Sequence, residues 1–264
     1  MSTLTWVVQH NLGSAADVAR IAKHCQRLGL TCHQVDVVPF SHELPPIADI
    51  QGPALFYGAT TFIHNVVRSG RWSPGAFFNE ETMRFGTWGP HYHGALVSAD
   101  ARLTTLKTLA ANQELADQTH VFVRPENDLK DFGGTVMEMG ELRQWVARLE
   151  AVETLLSPDA PIVTATPVDI ALEWRLFMIE GRVCSGSQYR AHGHMAVKAQ
   201  VPERVIEFAQ HHAGIWSPDR VFVMDIGQVN GRLGIIEVNG FNSSGFYASD
   251  IEKIVAEVSA LYDE

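Results

Sequence analysis

The stretch Ile235–Phe246, IIEVNGFNSSGF, decides how this chain is read. An apolar run ends on Glu237, an amide follows two residues later at Asn239, and a loop of Gly, Asn and Ser comes next. Side chains two apart on a strand share a face, so Glu237 and Asn239 point the same way. The segment before it, RVFVMDI, places Asp225 near the end of a similar apolar run. Between them, Asn230-Gly231 is a strong hairpin signal.

The register of that hairpin carries the chemistry. A two-residue turn at Asn230-Gly231 would pair Asp225 with Ile236 and set the two carboxylates on opposite faces. A three-residue connection, or a one-residue bulge at the glycine, pairs Asp225 with Glu237 and gathers both with Asn239. Carboxylates placed directly opposite repel by up to ~1 kcal/mol or more, a conflict that a divalent cation removes. Asp, Glu and Asn supply hard oxygens, which suit Mg²⁺ sharing its remaining positions with phosphate and water. The plainer alternative leaves Asp225 and Glu237 as solvated hairpin residues. Two features weigh against it: both acids interrupt strongly apolar strands, and NGFNSSG can present backbone N–H groups to an anion.

Outward from the hairpin, helices alternate with antiparallel segments. EWRLFMIEGRVCSGSQYR reads as a second hairpin turning at Glu180-Gly181, and PERVIEFAQHHAGI as a helix. HVFVRPE is a strand, NDLKDFGGTVM a polar glycine-bearing loop, MGELRQWVARLEAVETLL a helix, and APIVTATPVDI a β-rich segment. The chain opens differently, with strand TWVVQH, a helix through NLGSAADVARIAKHCQRLGL, strand TCHQVDVVPF and a further strand at Ala54–Tyr57. RWSPGAFFNEETMRFGTWGPHYHG has weak periodicity and reads as irregular structure or short helices, and ADARLTTLKTLAAN begins a new helical pattern. The expectation is an α/β unit over residues 1–98 and an α+β unit over residues 99–264.

These residues resemble the ATP-grasp superfamily, in which an Asp on one strand is followed by Glu-x-Asn on the next. VFVRP and EWRLFMIEGRV stand in the order of that superfamily's other elements. Arg124 in VFVRP resembles a bacterial and phage clade that carries Arg in place of the first nucleotide-binding Lys. The similarity runs from about Val121 to Tyr247, and the opening unit looks like a pre-ATP-grasp domain. The resemblance implies ATP and Mg²⁺ as cofactors, with Asp225, Glu237 and Asn239 holding the metal. It places Arg124 at the α and β phosphates, where guanidinium binds bidentately. Lys130, Gly133 and Gly134 stand in a phosphate-covering flap, and Ala165, Val168 and Asp169 in the hinge that holds adenine and ribose. Arg175 and Arg190 become candidates to stabilise a transferring γ-phosphoryl group, with Lys198 as a helper. For Arg175 the alternative is a cross-strand ion pair with a Glu, and Ser187 and Tyr189 are expected on the face away from Arg190.

The implied activity is ATP-dependent carboxylate–amine ligation through an acylphosphate, on small-molecule or peptide carboxylates and amines. A competing reading keeps the fold as a nucleotide-binding or interaction module without turnover. The resemblance leaves room for a homodimer. A formal charge of -10 argues against a nucleic-acid or anionic-membrane partner. The absence of a spanning apolar run and of a leader-like start predicts a cytoplasmic protein. Cys25, Cys32 and Cys184 show no metal spacing and read as reduced packing residues. The pairs His91/His93, His192/His194 and His211/His212 match no zinc motif, and Ser243-Ser244-Gly245 lacks the context of a hydrolase elbow. The letters DFG at 131–133 lack the other kinase motifs.

Overall fold

The computed structural model describes residues 4–12, 15–39, 41–47, 49–127, 132–152 and 156–263. Three sheets carry the chain. The first is parallel and contains β1 (Thr5–Gln9), β2 (Cys32–Val35), β3 (Ala54–Tyr57) and the short β4 (Pro74–Gly75), with β1 between β2 and β3. Helices α1 (Ala15–Arg27) and α2 (Thr60–Ser69) cross over between its strands, and α3 (Phe85–Trp88) follows β4.

The second sheet is antiparallel and contains β5 (Arg102–Thr105), β6 (His120–Pro125), β7 (Thr135–Glu138) and β8 (Pro161–Ala165), ordered β5-β8-β6-β7. Helices α4 (Leu106–Ala110) and α5 (Met139–Ala151) cover one face and enclose a core of Leu106, Leu109, Val121, Val123, Met139, Leu142, Val146 and Ile162. Two expectations are corrected here. The helical pattern from residue 99 is a strand, β5, before Thr105 caps the short α4 by accepting the Thr108 N–H at 3.1 Å. The loop before α5 ends in a strand, β7, because Thr135–Glu138 completes the edge pairing of β6.

The third sheet contains β9 (Leu172–Ile179), β10 (Arg182–Ala191), β11 (His194–Lys198), β12 (Val221–Val229) and β13 (Arg232–Gly240), in the order β11-β10-β9-β12-β13, all antiparallel. Helices α6 (Glu203–Ile215) and α7 (Ile251–Ala260) flank it. Its hairpins turn on Glu180-Gly181, His192-Gly193 and Asn230-Gly231, each with both residues at positive φ (49 and 73, 47 and 75, 50 and 80°). That is the primed two-residue turn whose twist matches the strands. It also explains His192-Gly-His194 as turn chemistry.

Alternation along β9 and β12 divides the third sheet. Trp174, Leu176, Met178, Phe222 and Met224 pack with Val205 and Ala209 of α6 and with Phe85 and Trp88. On the opposite face Phe177, Ile179, Val221 and Val223 join Ile251, Ile254, Val255 and Val258 of α7, Val18 and Ile21 of α1, and Trp6 and Val8 of β1. Each such aliphatic or aromatic side chain stabilises by roughly 1.5–3 kcal/mol on burial. The opening α/β unit therefore shares its core with the third sheet, whereas the second sheet has its own. No helix among the described residues is long and apolar enough to cross a membrane.

A backbone crossing ties the halves together. Residues 95–97 run along the outer edge of β13: the Ile235 N–H donates to the Ala95 carbonyl at 2.7 Å and the Val97 N–H to the Ile235 carbonyl at 3.0 Å. Gly234 lies under this crossing, and a Cβ there would stand 2.7 Å from the Val97 nitrogen and 2.8 Å from its Cα. Gly234→Ala is therefore expected to destabilise by about 1–3 kcal/mol through overpacking against backbone. Thermal unfolding should show it as a melting temperature lowered by several degrees, roughly 2–4 °C per kcal/mol.

Candidate active site

In the third sheet the register brings the carboxylates together. Asp225 pairs with Glu237 and Val223 with Asn239, so all three candidate ligands stand on one face of β12 and β13. The two-residue turn is retained, so the odd register comes from elsewhere. Pairing shifts between Asp225/Glu237 and Ile226/Ile235, leaving Ile236 as the extra residue of a bulge. The expectation of a bulge at the glycine is thus corrected: the slip occurs next to Glu237, where it re-aims the carboxylate.

Arginines meet both acids. Arg175, paired with Asp225 across β9 and β12, donates from Nε to Oδ1 at 2.9 Å and from Nη2 to Oδ2 at 2.7 Å. This fork is a strong, oriented contact. Arg175 is 9% and Asp225 2% exposed, so the pair is desolvated. Burial alone would lower the arginine's pKa, but the Asp225 carboxylate more than offsets it and the net shift is upward. The anticipated Arg–Glu partnership on this strand is replaced by Arg–Asp, because strand order sets β12 directly beside Arg175. From the second sheet, Arg124 at the end of β6 places Nη1 3.7 Å from Glu237 Oε1. Its guanidinium lies 5.4 and 5.6 Å from the ring centroids of Phe85 and Trp88.

Asn239 tests whether a metal fits. It is fully buried, its Nδ2 donates weakly to Asp225 Oδ2 at 3.5 Å, and its Oδ1 has no hydrogen-bond partner. A buried acceptor without a donor is costly unless something positive meets it. With Asp225 and Glu237 alongside, the donor set is all hard oxygen and suits Mg²⁺.

A cavity of about 640 Å³ lies between the second and third sheets, within the range of small-molecule sites. Its wall includes Arg124, Gly133 and Gly134 on one side and Glu173, Tyr189, Arg190 and Glu237 on the other, with Ala165, Val168 and Asp169 from the connection between the sheets. Every candidate nucleotide contact except Lys130, which lies outside the described residues, lines this one cavity. A Cβ on Gly134 would press to 3.2 Å from the Phe122 ring, so the chain passes closely there. The hinge is anchored by Thr166, whose N–H and hydroxyl donate to Asp100 Oδ2 at 2.9 and 2.6 Å. Arg175, Asp225 and Asn239 stand off the wall, behind Glu237 and Tyr189. Arg190 is exposed at the cavity and pairs across the sheet with Glu173, while Lys198 is exposed on edge strand β11 and does not reach the cavity.

Sequence reasoning missed an aromatic group beside Arg175. A bulge between Gln188 and Arg190 leaves Tyr189 unpaired. Its hydroxyl donates to Glu173 Oε2 at 2.6 Å, and Arg175 lies 5.7 Å from its ring centroid. Ser187 faces Arg175 across the same strand pair. Ser187 and Tyr189 are therefore on the Arg175 side, as Arg190 is, because the bulge breaks the alternation on which the opposite placement rested. Burial, then the Asp225 and Glu173 charges, raise the Tyr189 pKa, so it stays a phenol.

Two antiparallel sheets closed around one cavity, behind a parallel α/β unit, define the ATP-grasp fold. A profile of the ATP-grasp domain, family 2 of the clade with arginine in place of the first nucleotide-binding lysine, matches residues 100–256, and the chain belongs to that family. Solved structures with the same fold include an ATP-grasp ligase, PsnB, complexed with a minimal precursor (14% identity, TM-score 0.60, covering 99% of this chain and 100% of that one). A D-cycloserine synthetase, DcsG, is similar at 12% identity and TM-score 0.63 over 98% of this chain and 100% of its own. A RimK domain ATP-grasp protein from Sphaerobacter thermophilus is similar at 13% identity and TM-score 0.63 over 97% and 100%. PsnB is also seen with Mg and ADP. No curated protein matches the chain.

Proposed function

We propose that the protein is an ATP-dependent carboxylate–amine ligase. The observation that carries this reading is the buried, partnerless Asn239 Oδ1 beside Asp225 and Glu237, next to a cavity of nucleotide size. Asp225, Glu237 and Asn239 would hold Mg²⁺, which supplies charge neutralisation of the triphosphate when bound. Arg124 and the glycine pair would meet phosphates, and Ala165, Val168 and Asp169 the nucleoside. A carboxylate oxygen of the substrate attacks the γ-phosphorus; that O–P bond forms as the bond to the β,γ-bridging oxygen breaks and ADP leaves. The amine then attacks the acyl carbon, a C–N bond forms, the C–O bond to phosphate breaks, and the amine proton is lost to solvent or phosphate. Arg175, with Arg190 at the cavity, would offset charge on the moving phosphoryl group. Catalysis of this kind needs placed cations more than a protein nucleophile.

Acceptors are small-molecule or peptide carboxylates and amines. The fold accommodates both scales, since PsnB is complexed with a precursor and DcsG is a D-cycloserine synthetase. Incubation with ATP, Mg²⁺ and pooled amino acids and short peptides is expected to release ADP, and chelation of divalent metal to stop it. Tight ATP binding with no ADP from any pool would instead favour a module without turnover.

A further inference from the structure

Four non-glycine residues among those described hold positive φ. Glu180, His192 and Asn230 are first residues of two-residue hairpin turns, which require it. Tyr247, at φ 50°, belongs to no hairpin. A bulky side chain there is strained, and such strain persists only where the surroundings over-determine it. They do so here. Phe246 before it is fully buried and stacks on Phe177 and Tyr57 at 5.0 and 5.2 Å between ring centroids. Two residues later the Ser249 N–H donates to the Phe246 carbonyl at 2.9 Å.

The strained backbone delivers a ring to Arg175. Tyr247 stacks on Tyr189 at 5.1 Å and 15°, and the guanidinium carbon lies 5.4 Å from the Tyr247 centroid and 5.7 Å from that of Tyr189. A ring face attracts a cation without consuming its N–H donors. Asp225, by contrast, takes Nε and Nη2 of the same guanidinium. An Asp225 oxygen given to a metal ion is an oxygen withdrawn from Arg175, and the arginine then needs another anchor to stay at the site.

Building on the ligase reading above, we propose that Tyr247, stacked on Tyr189, is a positioning residue that holds the Arg175 guanidinium beside the phosphoryl group when Asp225 turns to the metal. The aromatic pair keeps the charge in place and leaves its N–H groups directed at the anion.

The test compares binding of Mg·ADP with binding of Mg·ADP plus aluminium fluoride, a mimic of the phosphoryl group in transfer, using the full chain. The wild type is expected to bind the fluoride complex more tightly than Mg·ADP alone. Tyr247→Gly and Tyr247→Asn both delete the ring and both tolerate positive φ, so one serves should the other fold poorly. Each is expected to hold Mg·ADP within about twofold of wild type and to lose the added affinity by roughly tenfold, the size of a desolvated cation–π contact. Tyr247→Phe, which keeps the ring, should restore it. Ring-deleted variants that keep the added affinity, or a Tyr247→Phe that loses it, would overturn the aromatic anchor while leaving the nucleotide reading intact. A wild type that binds no Mg·ADP, or gains nothing from aluminium fluoride, removes the phosphoryl-transfer reading and the anchor with it.

Discussion

Asp225→Ala is expected to destabilise the protein by about 3–5 kcal/mol, because it strands a buried guanidinium. Arg175 is 9% exposed and spends two donors on Asp225, at 2.9 and 2.7 Å. Without the carboxylate its charge keeps the penalty of desolvation and loses the attraction that offset it. The aromatic contacts to Tyr189 and Tyr247 recover only a part, since a cation–π contact contributes about 0.5–2 kcal/mol. In thermal unfolding the loss should appear as a melting temperature lowered by on the order of 10 °C. Replacing both partners, Arg175→Met with Asp225→Leu, should recover most of that stability, because matched apolar groups need no compensation. Turnover should not return in the double variant, which lacks both an oxygen ligand and a cation. A double variant as unstable as Asp225→Ala would show that the pair is not the balanced unit described here.

Glu237→Gln should separate chemistry from stability. The Glu237 side chain is 29% exposed, and its ion pair with Arg124 is long, at 3.7 Å, so its contribution to folding lies in the range of about 0–1 kcal/mol. Arg124 also keeps its contact with the Pro125 carbonyl at 3.1 Å and its place over Phe85 and Trp88. The melting temperature should therefore move by no more than about 2 °C. ADP release should fall by about 10²–10³-fold, the usual loss when one element of electrostatic stabilisation is removed. A variant that melts well below wild type would instead mark Glu237 as the structural counterion of Arg124. Unchanged ADP release would remove Glu237 from the site.

Both experiments address an arrangement in which arginines already sit against the acids that would hold a metal. The repulsion foreseen between opposed carboxylates is real, and two strands supply the answer: Arg175 from β9 neutralises Asp225, and Arg124 from β6 approaches Glu237. Metal binding at these residues is then an exchange of cations, so the affinity for Mg²⁺ reflects the competing guanidinium as well as the oxygens.

How far the sequence alone reaches is clearest at the hairpin from Val221 to Gly240. Asn230-Gly231 specifies the turn through its tolerance of positive φ, and alternation specifies two strands; both are local properties, and both are legible. The bulge at Ile236 is not. In GIIEV either isoleucine can be the buried one, so the pattern permits both registers, and the choice between them places the carboxylates on one face or two. Tertiary structure makes that choice: Ile235 is fully buried and its backbone pairs with residues 95–97.

The Tyr189 bulge is hidden for the same reason, and Tyr247 lies in a loop with no periodicity to read. The partner of Arg175 lies 50 residues away, on a strand brought alongside only by the order β10-β9-β12-β13. The sequence by itself determined the elements, the family and the acids and amide that could hold a metal, because turn chemistry, periodicity and motif spacing act over a few residues. Which face those groups share, which arginine meets which acid, and the aromatic pair beside Arg175 were decided only by strand order and packing, which depend on contacts far apart in the chain.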